Sequence, residues 1–72
     1  MKLAERMKEL RTERNLSQDS VSKELNIGIA TYCRYEQSKR EPTASVLERM
    51  ADYYDVSVDY LLGRSDIRKY NQ

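Results

Sequence analysis

Apolar residues along the 72-residue chain recur every three or four positions, the spacing that gathers side chains on one face of an α-helix. Leu3, Met7 and Leu10 form such a stripe and predict a first helix over about residues 2–14. Glu5, Glu9, Arg11 and Glu13 fall largely on its other faces, as on a solvated helix. Asn15 is expected to end it, and Leu16 to follow as a buried plug. Ser17 has N-cap chemistry, and Asp19 in the first turn suits the helix dipole. Val21 and Leu25 then face inward on a second helix over about 18–25. Asn26 tolerates the left-handed conformation of a C′ residue. Ile27 is expected in the core, and Gly28 as the N-cap of a third helix over about 29–37, with Tyr32 and Tyr35 on one face. Pro42 biases Glu41 away from helix, so 38–42 reads as a loop.

Thr43 opens a fourth helix over about 44–54, with Val46, Leu47, Met50, Ala51 and Tyr54 in a continuous stripe. Asp55 takes the C′ role, Val56 plugs, and Ser57 caps a short fifth helix, about 58–62, which carries Tyr60, Leu61 and Leu62 and stops at Gly63. Residues 64–72 (RSDIRKYNQ) are polar without a period and read as a frayed tail or a short arm. No alternating run, repeat or low-complexity segment interrupts this pattern. The expectation is an all-α domain of five helices over 1–63, followed by the tail.

Composition narrows the chemistry. Charged residues make up 35% of the chain, with no Trp or Phe. The core of so small a domain must therefore rest on Leu, Ile, Val, Met, Ala and Tyr. Net charge is +1, with an excess of +2 in residues 1–50 and −1 in 51–72; placement matters more than so small a sum. One cysteine, Cys33, forms no internal disulfide, so the fold does not depend on an oxidising compartment. No apolar run approaches the ~18 residues of a membrane span, and MKLAERMKEL does not read as a signal peptide. A soluble cytoplasmic protein without membrane contact is expected. The chain has no His, no second Cys for a metal and no Gly-rich phosphate loop. Neither an enzyme nor a cofactor or metal is expected.

Two helices of about two turns joined by a turn of three or four residues form a helix-turn-helix, which presents its second helix outward. The string LSQDSVSKELNIGIATYCRYEQSKREP, residues 16–42, closely resembles the Cro/C1-type (lambda-repressor-like, XRE) helix-turn-helix family. Ser17 and Gln18 match that family's Ser/Thr-Gln pair, Tyr35 and Glu36 its closing pair, and SKREP its Gly-Lys-Arg-x-Pro-like loop. VLERMADYYDVSVDYLLG resembles its fourth and fifth helices, so the likeness spans about residues 3–63. It implies a compact five-helix lambda-repressor-like fold. Asn26 stands where the family has its turn glycine, Gly28 where it has a Ser or Thr cap, and Ser38 where it has the loop glycine. Ile29 and Ala30 occupy positions that usually carry polar base readers.

The resemblance implies that Gln18 binds a DNA phosphate, at a helix N-terminus whose free N–H groups favour an anion; Ser17 is grouped with it. Lys39 and Arg40 follow the presented helix and can reach a backbone phosphate, with Gln37 and Ser38 adding neutral hydrogen bonds. Arg34 shares a face with Ala30 and is the strongest candidate base reader. A guanidinium makes two bonds to guanine O6 and N7, worth ~1–3 kcal/mol of discrimination; a phosphate contact or a surface ion pair is the alternative. Ile29 and Ala30 can touch thymine methyls, form part of a protein interface, or do neither. Thr31 can contact a methyl or a phosphate, or bond back to its own helix. Arg11 and Glu36 resemble the family's buried Arg–Glu pair. Tyr32 is expected in the core with its hydroxyl at the rim, and Cys33 to be inert. Tyr53, Tyr54, Val58 and Tyr60 lie where the family often dimerises.

Two functions follow. The first is a sequence-specific regulator of transcription that places helix three in the major groove of a double-stranded DNA operator, resembling small Cro-like proteins of temperate phages, with a homodimer if the operator has two half-sites. The second is an antirepressor or modulator that uses the same surface to bind a co-encoded helix-turn-helix repressor.

Overall fold

Met7, Leu10, Val21, Tyr32, Met50, Tyr54 and Leu61 are all but removed from solvent, and the helices that carry them meet in one core. The computed structural model describes residues 2–69. It contains α1 (Leu3–Glu13), α2 (Gln18–Glu24), α3 (Ile29–Glu36), α4 (Ala44–Tyr54) and α5 (Val58–Leu62). Each lies within a residue or so of its expected range, the usual uncertainty of a helix end. α1 packs against α3 and α5, α2 against α3, and α4 against α5. The fold is all-helical, with no strand among the described residues. No helix there is long and apolar enough to cross a membrane.

Helix starts follow local chemistry. The Ser17, Thr43 and Ser57 hydroxyls accept from the N–H of Ser20, Val46 and Tyr60 respectively, each satisfying a backbone donor that the first turn leaves free. Gly28 opens α3 with extended backbone and no side-chain cap.

All five helices stop in the same way. The C′ residue adopts the left-handed conformation: Asn15 (φ 55°), Asn26 (φ 57°), Ser38 (φ 60°), Asp55 (φ 57°) and Gly63 (φ 79°). The next N–H reaches back to a carbonyl five residues earlier, at 2.8–3.1 Å: Leu16 to Arg11, Ile27 to Ser22, Lys39 to Arg34, Val56 to Ala51 and Arg64 to Asp59. This is the Schellman arrangement. After α1, α2 and α4 the residue that makes this bond is apolar and packs on the core. After α3 and α5 it is an exposed cation, Lys39 and Arg64 respectively. At both ends the hydrogen-bonded stop is kept, but its hydrophobic contact is given up and a cation faces outward.

Arginines complete the helix ends across the fold. Arg14 donates to the Tyr54 carbonyl at 2.9 Å, Arg49 to Leu25 at 2.7 Å, and Arg11 to Leu16 at 3.0 Å. Arg6, only 8% exposed, lies 3.9 Å over the Tyr60 ring and donates to the carbonyls of Tyr60 and Ser65 and to Asp66. Through these contacts residues 64–69 turn back onto α1 and α5. The Ser57 N–H donates to the Arg68 carbonyl, and the Arg68 guanidinium donates to Glu13. Residue 1 of the expected 1–63 domain and residues 70–72 of the expected tail lie outside the described residues.

Three substitutions separate these effects. Ser38→Gly should raise stability by about 1 kcal/mol, because a left-handed non-glycine residue is strained and serine tolerates it less well than asparagine. Arg6→Ala should lower it by about 2 kcal/mol, chiefly through lost carbonyl hydrogen bonds and packing. Asp66→Asn should be nearly silent, because Asp66 is 95% exposed. Thermal denaturation checks all three.

Candidate nucleic-acid interface

The expected contact residues lie at the start of α2, on α3 and in the loop that follows it, and Gln18 at the head of α2 reaches α3. Ile29 is 43% exposed, and Ala30, Arg34, Gln37, Ser38, Lys39 and Arg40 are all exposed. Ala30 and Arg34 are one turn apart and share a face. Thr31 is half-buried. The Ser17 side chain is exposed but engaged, accepting from the Ser20 N–H while bonded to the Ser20 hydroxyl at 3.0 Å. Gln18 is half-buried and held on both ends of its amide. Its Nε2 donates to Glu36 Oε1 at 3.1 Å, and its Oε1 accepts from Cys33 Sγ at 3.4 Å.

Behind this surface lies a charged cluster. Glu36 closes α3 with its side chain 2% exposed. Arg11 binds it as a fork, Nε to Oε2 at 2.8 Å and Nη2 to Oε1 at 3.1 Å, the planar pairing that guanidinium favours. Tyr32 adds a bond from the same helix, its hydroxyl donating to Oε2 at 2.5 Å. The expectation of a hydroxyl at the rim therefore needs correcting: Tyr32 is fully buried, because Glu36, one turn on, supplies an acceptor inside the protein. α1, α2 and α3 thus each give Glu36 a donor.

The titration of these groups follows from the geometry. Burial alone would push the Glu36 carboxyl up, but the bonds from Arg11, Tyr32 and Gln18 outweigh it and hold the group below its ordinary 4.5. Arg11 is shifted up, first by its bond to Glu36. Tyr32 is driven far up by burial and then by Glu36. All three groups are locked in one protonation state near neutrality.

Sequence reasoning did not single out Arg6, Arg14 or Arg49 as structural. Arg6 left a trace, since it stands within the Leu3, Met7, Leu10 stripe where a charge is out of place; the other two depend on carbonyls far along the chain. Of the residues considered for dimerisation, Tyr54 and Tyr60 are buried in the monomer, leaving Tyr53 and Val58 half-buried at the surface. Among the described residues no group of three or more His, Cys, Asp or Glu side chains is placed to hold a metal ion.

A depressed folded-state value means that Glu36 stabilises the fold fully above the ordinary carboxylate range, and that this stability is lost as pH falls below 4.5 through the folded value. Glu36→Gln should therefore lower stability at neutral pH and flatten its decline in acid. Denaturation midpoints measured across that range, compared with the parent, check this; parallel curves would contradict it.

The helix-turn-helix family model matches residues 7–61. The HTH-type transcriptional regulator ImmR of Bacillus subtilis (strain 168) is 36% identical over 72 residues, covering 100% of this chain and 57% of ImmR. The cryptic phage CTXphi transcriptional repressor RstR of Vibrio cholerae is 31% identical over 61 residues, covering 85% of this chain and 55% of RstR. The solution structure of the DNA-binding domain of the P22 C2 repressor matches with a TM-score of 0.80 at 25% identity, over 96% of this chain and 90% of that domain. The chain spans little more than half the length of the curated relatives it matches. The match of nearly every helix to one family model, the likeness of the whole fold to a repressor's DNA-binding domain, and the helix-turn-helix with its Arg11–Glu36 brace place this chain in the Cro/C1-type helix-turn-helix family.

Proposed function

We propose that this chain is a sequence-specific DNA-binding regulator of transcription, with α3 in the major groove of an operator. One observation carries the reading. Most cations of the described residues are engaged within the protein: Arg6, Arg11, Arg14, Arg49 and Arg68 by hydrogen bonds, and Lys23, Arg64 and Lys69 by ion pairs. Five have neither among the described residues: Lys2 and Lys8 at α1, and Arg34, Lys39 and Arg40, which cluster on α3 or immediately after it. Unpaired cations beside a presented helix are what a phosphate backbone and a guanine edge require.

In this reading Gln18, Gln37, Lys39 and Arg40 hold phosphates, with Ser17 and Ser38 beside them. Arg34 reads a guanine, and Ile29, Ala30 and Thr31 meet thymine methyls. A two-half-site operator would be bound by two copies, with Tyr53 and Val58 as the apolar contact. The protein works by occupancy, without catalysis, in the cytoplasm. The exposed Ile29 also suits a protein partner, but relatives named as transcriptional regulators and repressors support DNA as the target.

Gel shift of the purified protein against its own regulatory region, as a function of salt, tests the reading. Arg34→Ala should relax specificity at one base pair by about 1–3 kcal/mol. Lys39→Ala should weaken all sequences alike and reduce the salt slope by about 1. If Arg34→Ala leaves binding to every site unaltered, Arg34 is not a base reader. If no duplex is bound while a co-encoded repressor is bound tightly, the protein is an antirepressor.

A further inference from the structure

The geometry points to Cys33 as a positioning residue: its thiol holds the Gln18 amide so that an N–H, and not the carbonyl oxygen, meets a DNA phosphate. This rests on the proposed contact between Gln18 and that phosphate. A glutamine amide has two faces of opposite polarity, and an anion tolerates one of them. Glu36 sets which face points inward. Its carboxylate is ionised and accepts only, so the NH2 group must turn towards it, as it does at 3.1 Å. That uses one of the two Nε2 hydrogens, and the described residues offer the other no partner. Oε1 then needs a donor, or it remains free to swing outward, where its negative end would oppose a phosphate. Cys33 supplies the donor, Sγ to Oε1 at 3.4 Å.

The thiol reaches Gln18 because Cys33 lies on α3 between Tyr32 and Arg34, half-buried against α2. The restraint therefore crosses the turn. Glu36 and Cys33, three residues apart on one face of α3, grip the two ends of one side chain at the start of α2. A thiol is a weak donor, so the effect should be modest and should be carried entirely through Gln18.

The test uses a random-sequence duplex at low salt, where phosphate contacts dominate, with binding followed by fluorescence anisotropy. Cys33→Val should weaken binding about three- to tenfold, with the melting temperature little changed. Cys33→Ser, which keeps a donor, should restore binding to within about twofold of the parent. Gln18→Ala should weaken binding, and adding Cys33→Val to it should have no further effect. Cys33→Ala replaces the valine variant if the branched side chain disturbs α2. If Gln18→Ala weakens binding but removing the thiol does not, Cys33 does not position Gln18. Equal losses in both backgrounds, or no rescue by serine, overturn the proposal in the same way. If Gln18→Ala itself has no effect, the phosphate contact is wrong and the positioning role falls with it.

Discussion

The buried carboxylate of Glu36 is the constraint around which the rest of the molecule is arranged. A negative charge 2% exposed is tolerated only with donors on all sides. Those donors come from three helices: Arg11 on α1, Gln18 on α2 and Tyr32 on α3. Hydrogen bonds are directional, so satisfying one carboxylate fixes how α3 lies against α1 and α2. Apolar packing would hold these helices together without choosing their orientation as sharply. The exposed face of α3 inherits its direction from a charge on its hidden face.

Charge also explains why so small a net value is compatible with a polyanionic target. A net charge of +1 averages two populations of cations. One caps carbonyls or pairs with acids of the chain; the other has no such partner among the described residues, and three of its five members, Arg34, Lys39 and Arg40, lie on α3 or just after it. The sum hides the local field, which a phosphate meets at short range. The stop after α3 follows the same division. Where α1, α2 and α4 turn an apolar residue inward after the left-handed position, α3 and α5 turn a cation outward, Lys39 after a strained Ser38 and Arg64 after Gly63. In a domain this small, where total stability is only a few kcal/mol, giving up that contact is a sizeable concession.

Helix starts and stops were legible in the sequence because they are local. Ser17, Thr43 and Ser57 announce starts, and Asn15, Asn26, Asp55 and Gly63 announce stops, through chemistry acting within a turn or two. Ser38 was not legible as a left-handed stop, since serine has no preference for that conformation; only the glycine of similar proteins hints at it. The apolar stripes gave the core, and the likeness of residues 16–42 to other helix-turn-helix chains indicated the outward face. The reach of Arg14 and Arg49, the folding back of residues 64–69 through Arg6 and Arg68, and the bond from Cys33 to Gln18 depend on tertiary proximity, which periodicity does not encode. Gln18 shows the difference best: its place at the head of α2 was readable, but not the two-ended grip on its amide.

The orienting role of the buried pair is tested most directly by a double-mutant cycle of Arg11→Ala and Glu36→Ala, with stability read from urea denaturation. Each single change strands a partly buried charge, so the pair should show a coupling of about 2–3 kcal/mol, the double variant being far less damaged than the two losses added together. Additive losses would mean that the pair is incidental and that apolar packing alone aims α3.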